Sequence, residues 1–297
     1  MELTEDDSKP QGRGAMGSVR IYSDAQTNSG FVIKTVAKTT QTTEQVRTFN
    51  RTLVNYLGKE KYVDSKHFIR TSAFLEDGGN YHQVQERMTY TGLEYSTIIR
   101  KTRKTPIQKQ RQDLNMAYHL LLGMVMGVAN QGLELRDIKP ANIMFNVPSA
   151  YKHADFIWKH IDLDCLRHYS YKQQMRCLTP AYTDIHQLSD RETGFDQIQD
   201  KIKRQDRMFA SDSYSLGIAI YEIATGTYPF DTPGTIPKNT SDVKMILAGL
   251  YKENALSSPL LSGLFLILTE DNRWEDIGGF FKRVDAWLTS AGTILRG

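Results

Sequence analysis

From about Gly12 to Arg87 the apolar positions come in short runs of β-branched and aromatic residues, bounded by Gly, Asn and Asp. The runs Ser18 to Tyr22, Gly30 to Val36, Phe68 to Leu75 and Tyr81 to Arg87 predict strands. One helix is expected among them. In Glu44 to Leu57 the residues Val46, Phe49, Leu53, Val54 and Leu57 recur at three- and four-residue spacing, and Gly58 is placed to stop the helix. Beyond Met88 the helical period dominates, in Leu114 to Asn130, Ser211 to Thr225, Thr240 to Tyr251, Pro259 to Leu268 and Trp274 to Leu288. No internal repeat or low-complexity tract interrupts this order, so one unit with two lobes is expected: a small β-rich lobe over about 1–87 and a larger, mainly helical lobe over 88–297.

Composition narrows the classes. With 297 residues, 40% of them hydrophobic and 24% charged, the chain can bury a sizeable core without cross-links. Its 37 Lys and Arg against 34 Asp and Glu leave a net charge of +3, too small and too evenly spread for a nucleic-acid partner or a polybasic membrane contact. The longest apolar stretches, Leu120 to Val128 and Leu260 to Leu268, fall short of the roughly 20 residues of a membrane span. Met1 to Pro10 is acidic and polar, unlike a secretory signal, and Glu2 excludes myristoylation at that end. The two cysteines, Cys165 and Cys177, are expected as free thiols in a reducing, cytoplasmic setting.

Candidate chemistry begins at Gly12-Arg13-Gly14-Ala15-Met16-Gly17-Ser18-Val19, where glycines at G-x-G-x-x-G spacing lead into a strand. Residues without Cβ let backbone N–H groups close over a polyphosphate. A dinucleotide fingerprint would lead into a helix instead, so the strand context favours a flap over ATP; a turn with no ligand is the plain alternative. Phe31-Val32-Ile33-Lys34 then places a lysine in an apolar strand, where its charge calls for an anionic partner or a route to water. With the glycine loop beside it, Lys34 is a candidate phosphate ligand. Glu44, the only acid of the following helix, is the candidate carboxylate to fix it, although a glutamate near a helix start also answers the helix dipole.

The densest signal is Leu135-Arg136-Asp137-Ile138-Lys139-Pro140-Ala141-Asn142-Ile143-Met144-Phe145, just after the long predicted helix. Here the chain resembles the eukaryotic-type Ser/Thr protein kinases, as a divergent member similar to bacterial or effector-type kinases. Asp137 stands five residues before Asn142, with Lys139 between them, the spacing of that family's catalytic loop. The resemblance implies a bilobal α+β fold with an antiparallel β-rich N-lobe and a helical C-lobe. It implies Asp137 and Lys139 as catalytic residues, Gly12, Gly14, Gly17, Val19, Lys34 and Glu44 around ATP, and Asn142 and Asp162 as ligands of Mg2+.

Further landmarks follow in the family's order. His160-Ile161-Asp162-Leu163-Asp164 is similar to the metal-binding D-F-G, with leucine and Asp164 at the altered positions. Asp164 is expected to cap the following turn in the left-handed region that Asp tolerates, or else to add to metal binding. Asp212, in Ser211 to Ile218, is expected to brace the catalytic loop through backbone N–H groups. Thr179-Pro180-Ala181-Tyr182 resembles the substrate-docking loop, whose threonine bridges the catalytic Asp and Lys. Arg136 has Tyr169, Ser170, Tyr171 and Thr179 as phosphorylatable neighbours in sequence. No Glu follows Ala181-Tyr182 to pair with Arg273, and Gln187 to Phe209 is expected to form an extra helix, a solvated insertion or else a contact for a substrate or partner. His153, His160 and His168 lack metal-ligand spacing. The expected function is transfer of the γ-phosphoryl of ATP to Ser or Thr of a protein substrate. The rival expectations are a pseudokinase that binds nucleotide or a partner without turnover, and a kinase-fold transferase with a non-protein substrate. The oligomeric state is left open, and a secreted effector would act in a host cytosol.

Overall fold

The computed structural model describes residues 3–5, 12–14, 17–24, 30–39, 43, 46, 66–102, 105–147, 156–168, 179–184, 201–230, 245–246, 248–250, 256–270 and 275–296. The first lobe is an antiparallel sheet of β1 (Leu3–Glu5), β2 (Gly12–Gly14), β3 (Gly17–Asp24), β4 (Gly30–Ala37), β5 (Thr71–Glu76) and β6 (Asn80–Glu86). Its order is β1-β3-β4-β6-β5, with β2 folded onto β3 as a hairpin that pairs Gly12 with Val19 and Gly14 with Gly17. The predicted strands are therefore found, and the glycine segment contributes β2 and the start of β3, paired antiparallel. Of the helix expected over Glu44 to Leu57, Thr43 and Val46 are helical, whereas Glu44 lies outside the described residues.

Side chains alternate across a strand, and directly opposed residues of an antiparallel pair share a face. Val19 opposes Lys34 and Lys34 opposes Gln83, so these three form one row across β3, β4 and β6. Val36 and Gln85 lie two residues along on that same face, and Val36, Gln83 and Gln85 are all buried. This face is turned toward the second lobe.

The second lobe carries β7 (Tyr90–Thr91), α1 (Tyr95–Thr102), α2 (Pro106–Gly123), β8 (Leu133–Glu134), β9 (Ile143–Asn146), β10 (Ile157–His160), β11 (Arg167–His168), α3 (Lys201–Thr225), α4 (Pro259–Thr269) and α5 (Ile277–Arg296). Thr105 caps α2 by accepting from Gln108 N, with Pro106 at the first helical position, where its missing N–H costs nothing. α2 begins eight residues before the predicted start, and after Gly123 it loosens into a π turn that ends near Gly132. α3 begins at Lys201, so the second half of the expected Gln187 to Phe209 insertion is the first part of this long helix; Met208 and Phe209 are buried, and residues 187–200 lie outside the described residues.

The core gathers on α3, whose Leu216, Ile218 and Ala219 are fully buried, and on the stacked rings of Phe145 and Trp158, 4.6 Å between centroids, with Tyr95 edge-on at 5.8 Å from Phe145. Phe145 follows Asn142 by three residues. The aromatic cluster thus anchors β9, and β9 sets where the loop before it ends. At the other end Ile161 N donates to Asn142 O at 2.9 Å, which ties the segment after β10 to the same loop. The lobes are stitched where His160 N donates to His67 O at 2.8 Å and Ile69 N to His160 O at 2.9 Å.

Cys165 is held in a disulfide, which corrects the expectation of free thiols. Cys177 lies outside the described residues. Among the described residues no helix is long and apolar enough to cross a membrane.

Candidate active site

Asp137 sits in a loop between β8 and the short turn Pro140–Asn142 and is the hub of a polar cluster. Lys139 Nζ donates to Asp137 Oδ2 at 2.7 Å, and Thr179 Oγ1 donates to Asp137 Oδ1 at 2.5 Å. Lys139 also donates to Thr179 Oγ1 at 2.8 Å, closing a triangle of carboxylate, ammonium and hydroxyl. Asn142 Nδ2 donates to Asp137 O at 2.9 Å and to Asp137 Oδ2 at 2.8 Å. The carboxylate is thereby fixed from three sides, with Thr179 brought in from 42 residues away.

The loop is braced from below. Asp212 on α3, 1% exposed, accepts from Leu135 N at 2.7 Å and from Arg136 N at 2.9 Å. Burial, and then the neighbouring Glu134 carboxylate, push the Asp212 carboxyl well above the usual range. Arg136 adopts a left-handed backbone, φ 70, which a residue with Cβ holds only when its surroundings impose it. Its Nε lies 3.4 Å from Glu134 Oε2, whose side chain is fully buried. Among the partners expected for Arg136, Tyr169, Ser170 and Tyr171 lie outside the described residues, and Thr179 belongs to the Asp137 triangle.

Lys34 Nζ reaches across the cleft to Asp162 Oδ1 and, at 2.7 Å, to Asp164 Oδ2. Burial draws the Lys34 ammonium downward, but the carboxylates of Asp164 and Asp162 outweigh it and hold the group above its ordinary value, so it is charged at neutral pH. Asp164 does not take the left-handed turn expected of it. The left-handed residue is Asp162, φ 54, which precedes the turn Leu163–Cys165 without a side-chain capping bond, and Asp164 meets the lysine instead. Leu163, at the altered phenylalanine position, is buried in the core.

The donor set suits a small, hard cation. Asn142 uses its amide nitrogen on Asp137, which leaves its carbonyl oxygen as a donor near a loop that also presents Asp162, whose side chain is 41% exposed. Oxygen-only donors of this kind fit Mg2+, which keeps water and phosphate oxygens for its other positions. Among the described residues no group of three or more His, Cys, Asp and Glu has metal-holding geometry. Gly17 lies tight against β4: a Cβ on it would stand 2.1 Å from Thr35 O, so the two strands approach there as only glycine permits.

The structure thus brings together Asp137, Lys139, Asn142 and Thr179 in one cluster and Lys34 and Asp162 in a second, with Val19 in register beside Lys34. Gly12, Gly14 and Gly17 line the hairpin of β2 and β3. Of the histidines, His160 and His168 are buried, and His153 and Arg273 lie outside the described residues. Two residues of the site escape sequence inspection, Gln83 and Gln85. Their signal is a pair of amides at alternate positions of β6, on the face that also carries Tyr81.

Comparison with known proteins agrees with this geometry. A family model for the protein kinase domain matches residues 6–262. The chain is 25% identical over 228 residues to CBL-interacting serine/threonine-protein kinase 17 of Arabidopsis thaliana, covering 74% of this chain and 45% of that protein. It is 25% identical over 203 residues to ribosomal protein S6 kinase alpha-1 of Rattus norvegicus, covering 64% of this chain and 22% of that protein. The chain spans less than half the length of these curated relatives. Its fold is similar to that in a crystal structure of Rad53 1-466 in complex with AMP-PNP, with a TM-score of 0.54, 17% identity, and coverage of 89% of this chain and 60% of that one. With its antiparallel β lobe, its helical lobe and a family match over most of its length, the chain belongs to the protein kinase domain family.

Proposed function

We propose that the chain transfers the γ-phosphoryl group of ATP to a Ser or Thr hydroxyl of a protein substrate, and that residues 1–297 act as a single kinase domain whose lobes divide near 87 and 88. The observation that carries this is the triangle of Asp137, Lys139 and Thr179 next to Asn142. Phosphoryl transfer needs positioning and charge neutralisation more than covalent chemistry, and those four side chains supply both.

Asp137, held at both oxygens, orients the incoming hydroxyl and takes its proton as the new O–P bond forms and the bond to the β-phosphate oxygen breaks. Lys139 offsets the negative charge on the transferred group and at the same time keeps the Asp137 carboxylate in place. Asn142 and Asp162 would hold Mg2+, which, when bound, neutralises phosphate charge and aligns the terminal phosphoryl. Lys34 binds the α- and β-phosphates, Gly12, Gly14 and Gly17 close the hairpin over them, and Val19 packs beside Lys34 against the base or ribose.

A nucleotide-binding pseudokinase drew its support from a Lys34 with no clear carboxylate. Asp162 and Asp164 supply that carboxylate, which favours turnover. We assign the activity to a cytosol, where ATP and protein substrates are at hand; because disulfides are rare there, thiol trapping of Cys165 in cell extracts tests this part. The central test is incubation with γ-labelled and α-labelled ATP. Label on Ser or Thr of added protein from the γ-position alone is expected. Label transferred from the α-position, or to a small molecule only, or no transfer alongside intact nucleotide binding, would each select one of the other functions.

A further inference from the structure

We infer that Asp164, held by Gln83, is the positioning carboxylate of Lys34; the inference rests on Lys34 being a nucleotide ligand. Gln83 is 1% exposed, and a buried amide is costly unless both its ends are bonded. Both are. Gln83 Nε2 donates to Asp164 Oδ1 at 3.0 Å, and Gln85 Nε2 donates to Gln83 Oε1 at 3.1 Å. The cross-strand register places Gln83 directly beside Lys34, so the amide and the ammonium meet the same carboxylate from one face of the sheet.

Asp164 divides its two oxygens, one for Gln83 and one for Lys34. Its side chain is 10% exposed, against 41% for Asp162. Two carboxylates on one lysine therefore have different standing. Asp162 faces the open cleft, where a cation can reach it; Asp164 is enclosed, with the Gln83 amide on one oxygen and Lys34 on the other. Asp162 itself has the left-handed backbone that precedes the short turn Leu163–Cys165, in which Asp164 lies. A glycine at 164 would leave Lys34 without this partner and Gln83 Nε2 without its acceptor.

A double-mutant cycle tests the pairing, with Lys34→Met, Asp164→Asn and both together, read as kcat/KM for MgATP and as Kd for a non-hydrolysable ATP analogue by calorimetry. Asp164→Asn keeps the volume and removes the charge. It should lower kcat/KM by about tenfold to a hundredfold, as loss of a charge-assisted hydrogen bond does. The double variant should be no worse than Lys34→Met, because Asp164 acts through that lysine. Gln83→Met, which spares both charged groups, should give a smaller loss that also vanishes on the Lys34→Met background. Effects that multiply in both readouts overturn the inference, as does a Glu44→Gln cycle with the larger coupling. So does a rise of tenfold or more in the Mg2+ requirement of Asp164→Asn, which would make Asp164 a metal ligand. If no phosphate is transferred by the parent chain but the cycle in analogue affinity is non-additive, the proposed activity fails and the pairing stands. If Lys34→Met leaves analogue affinity unchanged, both fall.

Discussion

Thr179 Oγ1 gives its proton to Asp137 Oδ1 and takes one from Lys139 Nζ, so a single hydroxyl links the loop at Pro180 to both catalytic candidates. Thr179→Val removes the bridge while keeping the shape. It should lower kcat by about tenfold to a hundredfold with little change in the KM for ATP, because the fault is in alignment and not in nucleotide binding. Thr179→Ser should retain most of the rate. Steady-state kinetics at varied ATP separates the outcomes, and a Ser variant as slow as the Val variant would show that the hydroxyl is not what counts.

Asp212 satisfies two backbone N–H groups of a buried loop, one of them on the left-handed Arg136. In Asp212→Asn one acceptor becomes a donor facing a donor. The expected cost is about 2–4 kcal/mol of folding stability, with most of the transferase activity lost as well. Urea unfolding, with the slope unchanged between variant and parent, is the measurement.

Gly17→Ala brings a Cβ against the main-chain oxygen of Thr35, which cannot swing aside as a side chain can. β3 and β4 must part locally, at about 1–3 kcal/mol. Nucleotide affinity should weaken together with thermal stability, because this hairpin is the proposed phosphate flap. Calorimetry with an ATP analogue beside a melting curve checks both. Unchanged affinity would remove the hairpin from the nucleotide site.

His67 lies where the lobes meet, with its Cβ against Gly123 and its ring 5.6 Å from that of His119. Burial, and then the neighbouring His119, His160 and Lys66, hold its imidazole down at about 4, against an ordinary 6.5. Between those values the unfolded chain binds the proton that the folded chain refuses. The contribution is therefore fully present above pH 6.5 and is lost as the pH falls toward 4. The melting temperature should drop across that window, and His67→Gln should flatten the drop. An equal pH slope in the two proteins would assign the acid sensitivity to other groups.

How much of this was legible beforehand follows the range of the interaction concerned. The strands around Lys34 and the helices at Leu114 and Ser211 were written in local apolar spacing, and the segment from Leu135 to Phe145 carried its chemistry in eleven consecutive residues. Boundaries were less legible. α3 starts at Lys201 because Met208 and Phe209 find buried places, and the packing of those two side chains, not their polar neighbours, decides that the helix continues. The left-handed residue after β10 is a related case: it falls two residues before Asp164, at Asp162, and residue type does not distinguish the two aspartates.

The sequence alone therefore determined the main element types, the pairing of the glycine segment and the Asp137–Asn142 loop, because each depends on residues within a few positions of one another, where covalent connection keeps them close in any fold. Only the tertiary structure decided which carboxylate meets Lys34. Asp164 is 130 residues further along the chain, and Gln83 stands between the two in sequence. Their meeting requires the sheet register to set Gln83 beside Lys34 and the second lobe to carry Asp164 up to that face, since a charge's partner is chosen by distance in space and not along the chain.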